Sequence, residues 1–377
     1  MKILHITAAY KPAVIYGGPT MSVAMLCEEL SKAGVAINVF TTTANGAREL
    51  AVDTAVPINV DGALVTYFKR ITKDHTHFSP ALLKALWKHA KEFDAIHIHA
   101  WWNLVSVLSC AIALARKVPV VISPRGMLST YSFNNKNIGA KGLIHKMMGG
   151  NLLNKSHIHT TSSHESEAVA KLVRPLSITA LPNFVKLSKP GGFDHITPGG
   201  VLKLLFFSRI EEKKGLDILL NALKFIALPY HLTIAGDGDE NYINYLKSLT
   251  NGIEDKITWA GFYDDDKFEL LQQHHLLILP SHDENFGNVV IESLGVGTAV
   301  LISEAVGLAD YVKENNFGWI CQTNVKSVSD TINNIGANGL TTLNSIRQTA
   351  PAIVRNDFTG DALAQKYIRF YQQIIKV

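Results

Sequence analysis

The sequence predicts an α/β protein built as two doubly wound domains, each a parallel sheet covered by helices. Three observations predict it. Short β-branched apolar runs alternate with amphipathic runs of helix length along most of the 377 residues. The alternation breaks at Leu187–Gly200, where Ser, Pro and Gly gather in LSKPGGFDHITPGG. The residues with recognisable chemistry fall just after strand-like runs, at the carboxyl ends where open α/β sheets bind ligands.

In the first half, Lys2–Ala8 and Val35–Thr42 read as strands around a helix over Met21–Lys32. Helices follow over Pro80–Glu92, Leu104–Arg116 and Gly139–Leu153, with strands over Ala95–His99, Val118–Ser123 and Ile158–Ser162. Such apolar strands suit burial on both faces, as in parallel sheets. After the break, strands are expected over Val201–Phe207, His231–Ala235, Ile257–Ala260, Leu276–Leu279 and Ala299–Ile302. Helices over Leu216–Phe225, Glu240–Leu249, Lys267–His274 and Gly287–Leu294 alternate with them, and an amphipathic helix, Asp361–Ile375, closes the chain. The expected organisation is a domain at 1–186, a linker at 187–200, a second domain at 201–357 and a terminal helix at 358–377.

Composition bounds the function. A hydrophobic fraction of 47% with 18% charged residues suits a globular protein with a large core. Three scattered cysteines, Cys27, Cys110 and Cys321, suit buried thiols in a reducing compartment better than disulfides or a zinc site. No run approaches the ~20 apolar residues of a membrane span. The N-terminus reads as a first core strand and not as a signal peptide, so a cytoplasmic location is expected. The net charge of +4 is uneven: residues 1–185 hold 19 Lys and Arg against 10 Asp and Glu. That basic half suits a peripheral contact with anionic lipid, an acidic acceptor, or simply a solvated surface. A nucleic acid is not an expected partner.

The most specific stretch is Glu284-Asn285-Phe286-Gly287-Asn288-Val289-Val290-Ile291-Glu292. Two carboxylates bracket a Phe-Gly pair where a strand gives way to a helix. Helix starts carry unpaired N–H groups and partial positive charge, so they bind phosphates or polarised hydroxyls. Carboxylates on either side add acceptors for sugar hydroxyls. The segment therefore reads as a site for a sugar joined to a phosphate.

Other post-strand loops are individually weaker. In Phe207–Gly215, Arg209 suits bidentate binding of phosphate and Lys214 adds a point charge at a helix start, whereas Lys213 reads as a solvated turn residue. The Gly236-Asp237-Gly238-Asp239 run lacks dinucleotide-motif spacing and the ligands for a metal, so it reads as a tight turn near a nucleobase. Gly17-Gly18 suits either close approach of amides to an anion or a plain turn. His97 and His99 project to one side of a strand. A metal pair needs a third ligand and none is evident, so hydrogen bonding at a cleft edge is the expected role. Trp101 and Trp102 stack on an acceptor sugar or pack. Arg125, in Ser123–Met127, is expected at the cleft, with a salt bridge between the domains as its alternative. Pro182–Val185 reads as a hinge.

Together these segments resemble the retaining nucleotide-sugar glycosyltransferases of family 4, whose GT-B architecture sets two Rossmann-like domains facing across a cleft. The resemblance runs from Met1 to about Tyr311, with the motifs in the family's order, and E-x7-E followed by Leu294–Val300 is its most specific part. It implies that Arg209 and Lys214 hold the diphosphate of a nucleotide diphosphate sugar, helped by the amides of Gly17 and Gly18. It also implies that Glu284 binds donor-sugar hydroxyls, that the amides of Phe286, Gly287 and Asn288 contact sugar or phosphate, and that Glu292 binds the ribose. Gly236, Asp237 and His99 complete the expected binding set.

The implied activity moves a hexose to a glycan or lipid-linked glycan acceptor, with retention, in surface polysaccharide synthesis. No metal or other cofactor is expected. One departure stands out: many relatives have histidine where this chain has Arg125, and an arginine cannot be a general base. Arg125 is left with phosphate charge or the acceptor as its role. A sugar-nucleotide 2-epimerase shares the architecture, and a non-catalytic sugar-nucleotide-binding relative is a further alternative.

Overall fold

The computed structural model describes residues 1–129, 149–188, 191, 200–263 and 267–376. Most of the helix expected over Gly139–Leu153, and residues 189–190 and 192–199 of the expected linker, lie outside the described residues. The chain forms two compact units, Met1–Phe184 with Gly360–Val377, and Val185–Thr359.

The first unit runs β1 (Lys2–Ile6), α1 (Gly18–Lys32), β2 (Ala36–Thr42), a small hairpin of β3 (Ala44–Asn45) and β4 (Arg48–Glu49), then β5 (Pro57–Val60) and β6 (Ala63–Phe68). It continues with α2 (Pro80–His89), β7 (Ala95–His99), α3 (Leu104–Ala115), β8 (Val120–Ser123), α4 (Gly150–Asn154), β9 (His157–Thr160), α5 (Ser163–Leu172) and β10 (Ser177–Ala180). The sheet order is β10-β9-β8-β7-β1-β2-β6-β5, parallel except at β5. Pairing of β1 with β7 sets His5 directly opposite His97.

Two apolar layers cover this sheet. One joins α2 and α3 through residues such as Leu82, Leu86, Val105 and Cys110. The other joins α1 to the chain's last helix through Leu26, Cys27, Tyr367 and Tyr371. That helix buries Leu363, Ala364, Tyr367, Phe370, Tyr371 and Ile374, the one-sided spacing of an amphipathic helix.

The second unit runs β11 (Leu202–Phe207), α6 (Leu216–Leu223), β12 (Tyr230–Ala235), α7 (Glu240–Ser248), β13 (Ile257–Gly261), α8 (Lys267–Gln272), β14 (Leu276–Leu279) and α9 (Asn288–Gly295). Then come β15 (Ala299–Ser303), α10 (Ala309–Glu314), β16 (Gly318–Cys321), α11 (Val325–Asn338) and α12 (Leu340–Phe358), and the chain returns to the first unit as α13 (Gly360–Ile375). Its six-stranded sheet is wholly parallel, in the order β13-β12-β11-β14-β15-β16. This is the doubly wound dinucleotide-type order, whose strand direction of travel reverses between β11 and β14. Every residue of β14 and β15 is buried, as a strand covered on both faces requires.

The doubly wound α/β expectation holds. Strands β3, β4, β5, β6, β10 and β16 and helices α5, α10, α11 and α12 were not anticipated. They carry shorter apolar runs or many Ser, Thr and Asn, and α12 holds Pro351 inside the helix.

Candidate functional site

In the second unit the candidate residues gather at the reversal point of the sheet. The chain leaves β11 through Ser208–Ile210 and forms a short 3-10 turn, Glu212–Lys214, before α6. It leaves β14 through Pro280–Gly287 and enters α9. Because β11 and β14 are neighbours, the two loops meet. The Lys214 ammonium pairs with the Glu284 carboxylate, both largely buried. One residue earlier in each loop, Lys213 Nζ lies 2.9 Å from Asp283 Oδ2, and Asp283 is 8% exposed. The His282 amide donates to the Lys213 carbonyl at 2.8 Å, closing the seam. Lys213 is therefore not the solvated turn residue the sequence suggested. Its partner sits across the sheet, where local pattern gives no sign of it.

Glu284 is also held from the other side. Its amide donates to Ala305 O at 3.1 Å, and its carbonyl accepts from Gly307 N–H at 2.8 Å. Gly287 caps α9 with φ 88° and ψ 63°, a left-handed conformation that favours glycine. Phe286 is buried and meets Phe358 edge-on with ring centroids 6.0 Å apart, so its side chain is structural and only its backbone can serve a ligand. Asn288 opens the helix, and Glu292, one turn in, pairs with Lys267 at 2.8 Å. The sequence reading had not singled out Lys267.

Arg209 stands apart from these pairs. Its side chain is 72% exposed and reaches Glu211 at 2.9 Å. The loop that carries it is nonetheless fixed by the Gly236 turn. A side chain at Gly236 would collide with the Ser208 carbonyl oxygen, and one at Gly238 with that of Ile210. Ile210 N–H donates to Asp237 O at 2.8 Å, which locks the two loops together. Asp237 Oδ1 accepts from Gly238 N–H at 2.8 Å, and Asp239 caps α7 by accepting from Tyr242 N–H at 3.0 Å. The two aspartates are turn and cap residues, as the tight-turn reading expects.

In the first unit Gly17 caps α1 at φ 64° and Gly18 is its first residue. Arg125, after β8, also has a positive φ of 53°. Its Nη1 donates to Ser22 Oγ in α1 at 2.9 Å and to Asn183 Oδ1 at 3.1 Å, while Nε donates to His99 Nδ1 at 3.3 Å. All three partners are uncharged and lie in the first unit. Burial pulls the Arg125 pKa below the usual guanidinium value. Glu165, which the sequence reading missed, anchors this turn: its carboxylate accepts from Gly126 N–H at 2.6 Å and from Thr161 N–H at 2.8 Å. The Ser162-x-x-Glu165 spacing, a capping-box signature, was the available signal.

His99 needs correction. It is 1% exposed, packed beneath Arg125, and both its ring nitrogens are engaged within the unit. It is a buried relay and not a cleft-edge ligand. Trp101 is fully buried, which settles its role as packing.

The protons of this histidine group can be assigned, since arginine only donates and a carbonyl only accepts. Arg125 forces His99 Nδ1 to accept, so His99 Nε2–H donates to His5 Nδ1 at 2.9 Å. His5 then carries its proton on Nε2, a buried atom with no hydrogen-bond partner among the described residues. A second chain runs beside it. His159 Nε2–H donates to Leu181 O at 3.0 Å, Ser123 Oγ donates to His159 Nδ1 at 2.6 Å, and His97 Nε2–H donates to Ser123 Oγ at 2.7 Å. The Tyr371 hydroxyl of α13 closes it by donating to His97 Nδ1 at 2.7 Å. Burial first, and then the positive charge of Arg125, holds His5 and His159 down at about 3. Burial and its neighbours hold His97 and His99 well below the usual imidazole value.

His5 is the third nitrogen ligand that the sequence did not reveal. His5, His97 and His99 offer ligand atoms within 4.8 Å of one another. The donor set nevertheless suits a cation poorly. Metal-binding imidazoles donate their second N–H to an acceptor, whereas here His99 faces the Arg125 cation with a lone pair.

Comparison with known proteins agrees with this architecture. The family model for Glycosyltransferase Family 4 matches residues 16–189, and that for Glycosyl transferases group 1 matches residues 193–352. The chain is 32% identical over 132 residues to an uncharacterized glycosyltransferase of Methanocaldococcus jannaschii, spanning 33% of this chain and 33% of that protein. It is 24% identical over 345 residues to the GDP-mannose:cellobiosyl-diphosphopolyprenol alpha-mannosyltransferase of Xanthomonas oryzae pv. oryzae, covering 85% of this chain and 83% of that one. Among solved structures it is similar to HepE of Anabaena, crystallised with UDP and glucose, with a TM-score of 0.72 and 19% identity over 99% of this chain and 100% of that chain. At that identity the likeness establishes the fold, the GT-B type with two Rossmann-like units. With the two family models together spanning nearly its whole length, the chain belongs to the family 4, group 1 glycosyltransferases.

Proposed function

We propose that the protein transfers a hexose from a nucleotide diphosphate sugar to a hydroxyl of a glycan or lipid-linked glycan, with retention at the anomeric carbon. The observation that carries this reading is the pairing of Lys214 with Glu284 at the carboxyl ends of β11 and β14. It puts a cation suited to a phosphate beside a carboxylate suited to sugar hydroxyls, next to the glycine-capped start of α9.

As the glycosidic C–O bond breaks, negative charge grows on the diphosphate. Lys214, Arg209 and the backbone amides at Phe286–Asn288 would stabilise it, with the Gly17-Gly18 amides contributing from the first unit. Arg209 is exposed and would exchange Glu211 for phosphate oxygens. Glu292 would take the ribose hydroxyls, releasing Lys267. Gly236 and Asp237 would border the base. The departing phosphate would accept the acceptor's proton, so no enzyme nucleophile is assigned. Arg125 would hold phosphate charge or the acceptor. No metal is proposed, in keeping with a diphosphate charge met by cationic side chains.

The relatives' printed names support a nucleotide-sugar donor: GDP-mannose for the Xanthomonas enzyme and a UDP complex for HepE. The Xanthomonas acceptor is a diphosphopolyprenol-linked disaccharide, which suits a role in surface polysaccharide synthesis. No helix of the described residues is long and apolar enough to cross a membrane. A peripheral, cytoplasmic-face location through the basic first half is consistent with this.

The test is thermal stabilisation by a panel that includes UDP-glucose and GDP-mannose, followed by turnover, with Lys214→Ala and Glu284→Ala as controls. A midpoint raised by one donor and lost in both variants supports the reading. Donor consumption to an epimer without acceptor would instead support an epimerase. Donor binding without any turnover would support a non-catalytic relative.

A further inference from the structure

We propose that His5, a residue outside every motif named above, is a positioning residue for Arg125 and acts through His99. The inference rests on the reading of Arg125 as part of the reaction site.

The geometry is a one-way relay. Nη1 of Arg125 donates to Ser22 and Asn183, which holds one end of the planar guanidinium. The bond from Nε to His99 Nδ1 at 3.3 Å holds the other end, and the two together aim Nη2. His99 can accept there only while its proton sits on Nε2. His5 Nδ1, at 2.9 Å, is the acceptor that satisfies that proton and holds the ring's direction. Without His5, the buried Nε2–H of His99 loses this acceptor, and with it the bond that keeps the ring turned so that Nδ1 faces Arg125.

The placement of His5 argues against simple packing. It lies mid-strand in β1, fully buried, with Nε2–H lacking a hydrogen-bond partner among the described residues. An apolar side chain would fill the same space without burying that group. The two rings are nearly parallel, interplanar angle 5° with centroids 5.2 Å apart, so Nδ1 of His5 lies in line with the Nε2–H of His99.

The test uses the full chain and three variants: His5→Leu, His5→Asn, whose Oδ1 can stand where Nδ1 stood, and Arg125→Gln. Side-chain ¹⁵N spectra read the proton on His99 and the exchange protection of Arg125 Nε–H, neither of which needs a substrate. Turnover is read with UDP-glucose or GDP-mannose, whichever stabilises the protein. The expected result is an unprotonated Nδ1 on His99 in the parent protein. His5→Leu should lose the protection of Arg125 Nε–H and lower kcat about tenfold with donor KM unchanged, and His5→Asn should restore most of both. A proton on Nδ1 of His99 in the parent overturns the proposal, even if His5→Leu fails to fold. So does a normal kcat in His5→Leu while Arg125→Gln is inactive. If Arg125→Gln keeps full activity, the reading of Arg125 falls and takes the proposal with it, although the relay itself would still be visible in the spectra.

Discussion

Lys214 and Glu284 lie 70 residues apart in sequence and form one ion pair, because the loops that carry them leave adjacent strands at the sheet's reversal point. Lys213 and Asp283 repeat the pairing one step earlier. The seam therefore holds one pair at 2.9 Å with a nearly buried carboxylate, and a second in which both groups keep some exposure. The Lys213–Asp283 pair braces the loops through its buried carboxylate. The Lys214–Glu284 pair stands next to the glycine-capped start of α9, and its two charges suit the two halves of a sugar phosphate.

This division makes Lys213 and Lys214 separable. Lys214→Ala removes a cation from developing phosphate charge and should lower kcat by about 10²- to 10³-fold. Lys213→Ala removes a charged partner from the nearly buried Asp283 carboxylate, so it should cost about 1–3 kcal/mol of stability with a smaller change in kcat. Steady-state kinetics and urea melts on the two variants check the assignment. Equal losses of kcat from both would mean that the lysines act only as a brace.

Glu292 offers a second separation. A carboxylate on ribose hydroxyls grips donor and transition state alike, so its loss should appear mainly in KM. Glu292→Gln is expected to raise donor KM about tenfold with kcat within a few-fold of the parent. Lys267 now competes for the same carboxylate at 2.8 Å. Lys267→Ala should therefore not weaken donor binding, and a tenfold rise in KM for that variant would assign the grip to the lysine instead.

Legibility divides along the same line. The strand–turn–helix around Glu284–Glu292 could be read because every signal in it is local: an apolar run, a glycine, then a helical period. The terminal helix was equally plain, since its apolar positions repeat at helical spacing. What could not be read depends on which strands become neighbours. Asp283 beside Lys213, and His5 opposite His97, follow from pairings between distant strands. His99 looked available because strand alternation gives the side of a sheet and not what covers it; here α13 closes that side with Tyr371. Glu165 was legible as a capping residue, but not as the anchor of a loop 39 residues away.

The glycines give a test of the donor-side scaffold. At Gly236, φ is 148° and an added side chain meets the backbone carbonyl of Ser208, which cannot swing aside without moving Arg209. At Gly287, φ is 88° but the nearest atoms, on Val306, Glu284 and Val290, are side-chain carbons at 3.3 to 3.4 Å. Gly236→Ala is expected to cost more than about 2 kcal/mol, and Gly287→Ala nearer 1 kcal/mol, mostly from the left-handed backbone. Calorimetric melts rank the two, and a reversed order would remove the claim that the Gly236 turn holds the Arg209 loop.

The buried histidines set the pH behaviour of the fold. Their folded pKa values are depressed: about 3 for His5 and His159, well below 6.5 for His97 and His99. An unfolded chain binds protons at these imidazoles below pH 6.5, while the native chain does not until much lower pH. Unfolding in that window takes up protons, so stability is full above pH 6.5 and falls as pH drops toward 3. Each such histidine contributes up to about 1.4 kcal/mol per pH unit, and these four, together with His77, His157, His274 and His275, which burial also holds low, make the slope steep. The melting midpoint should fall sharply between pH 7 and pH 5, a range in which most exposed carboxylates remain ionised. His5→Asn removes one of the four groups and should flatten the slope by about one proton. A stability flat from pH 7 to pH 5 would mean that the histidines are not buried neutral, and the proton assignments built on Arg125 and Leu181 would go with it.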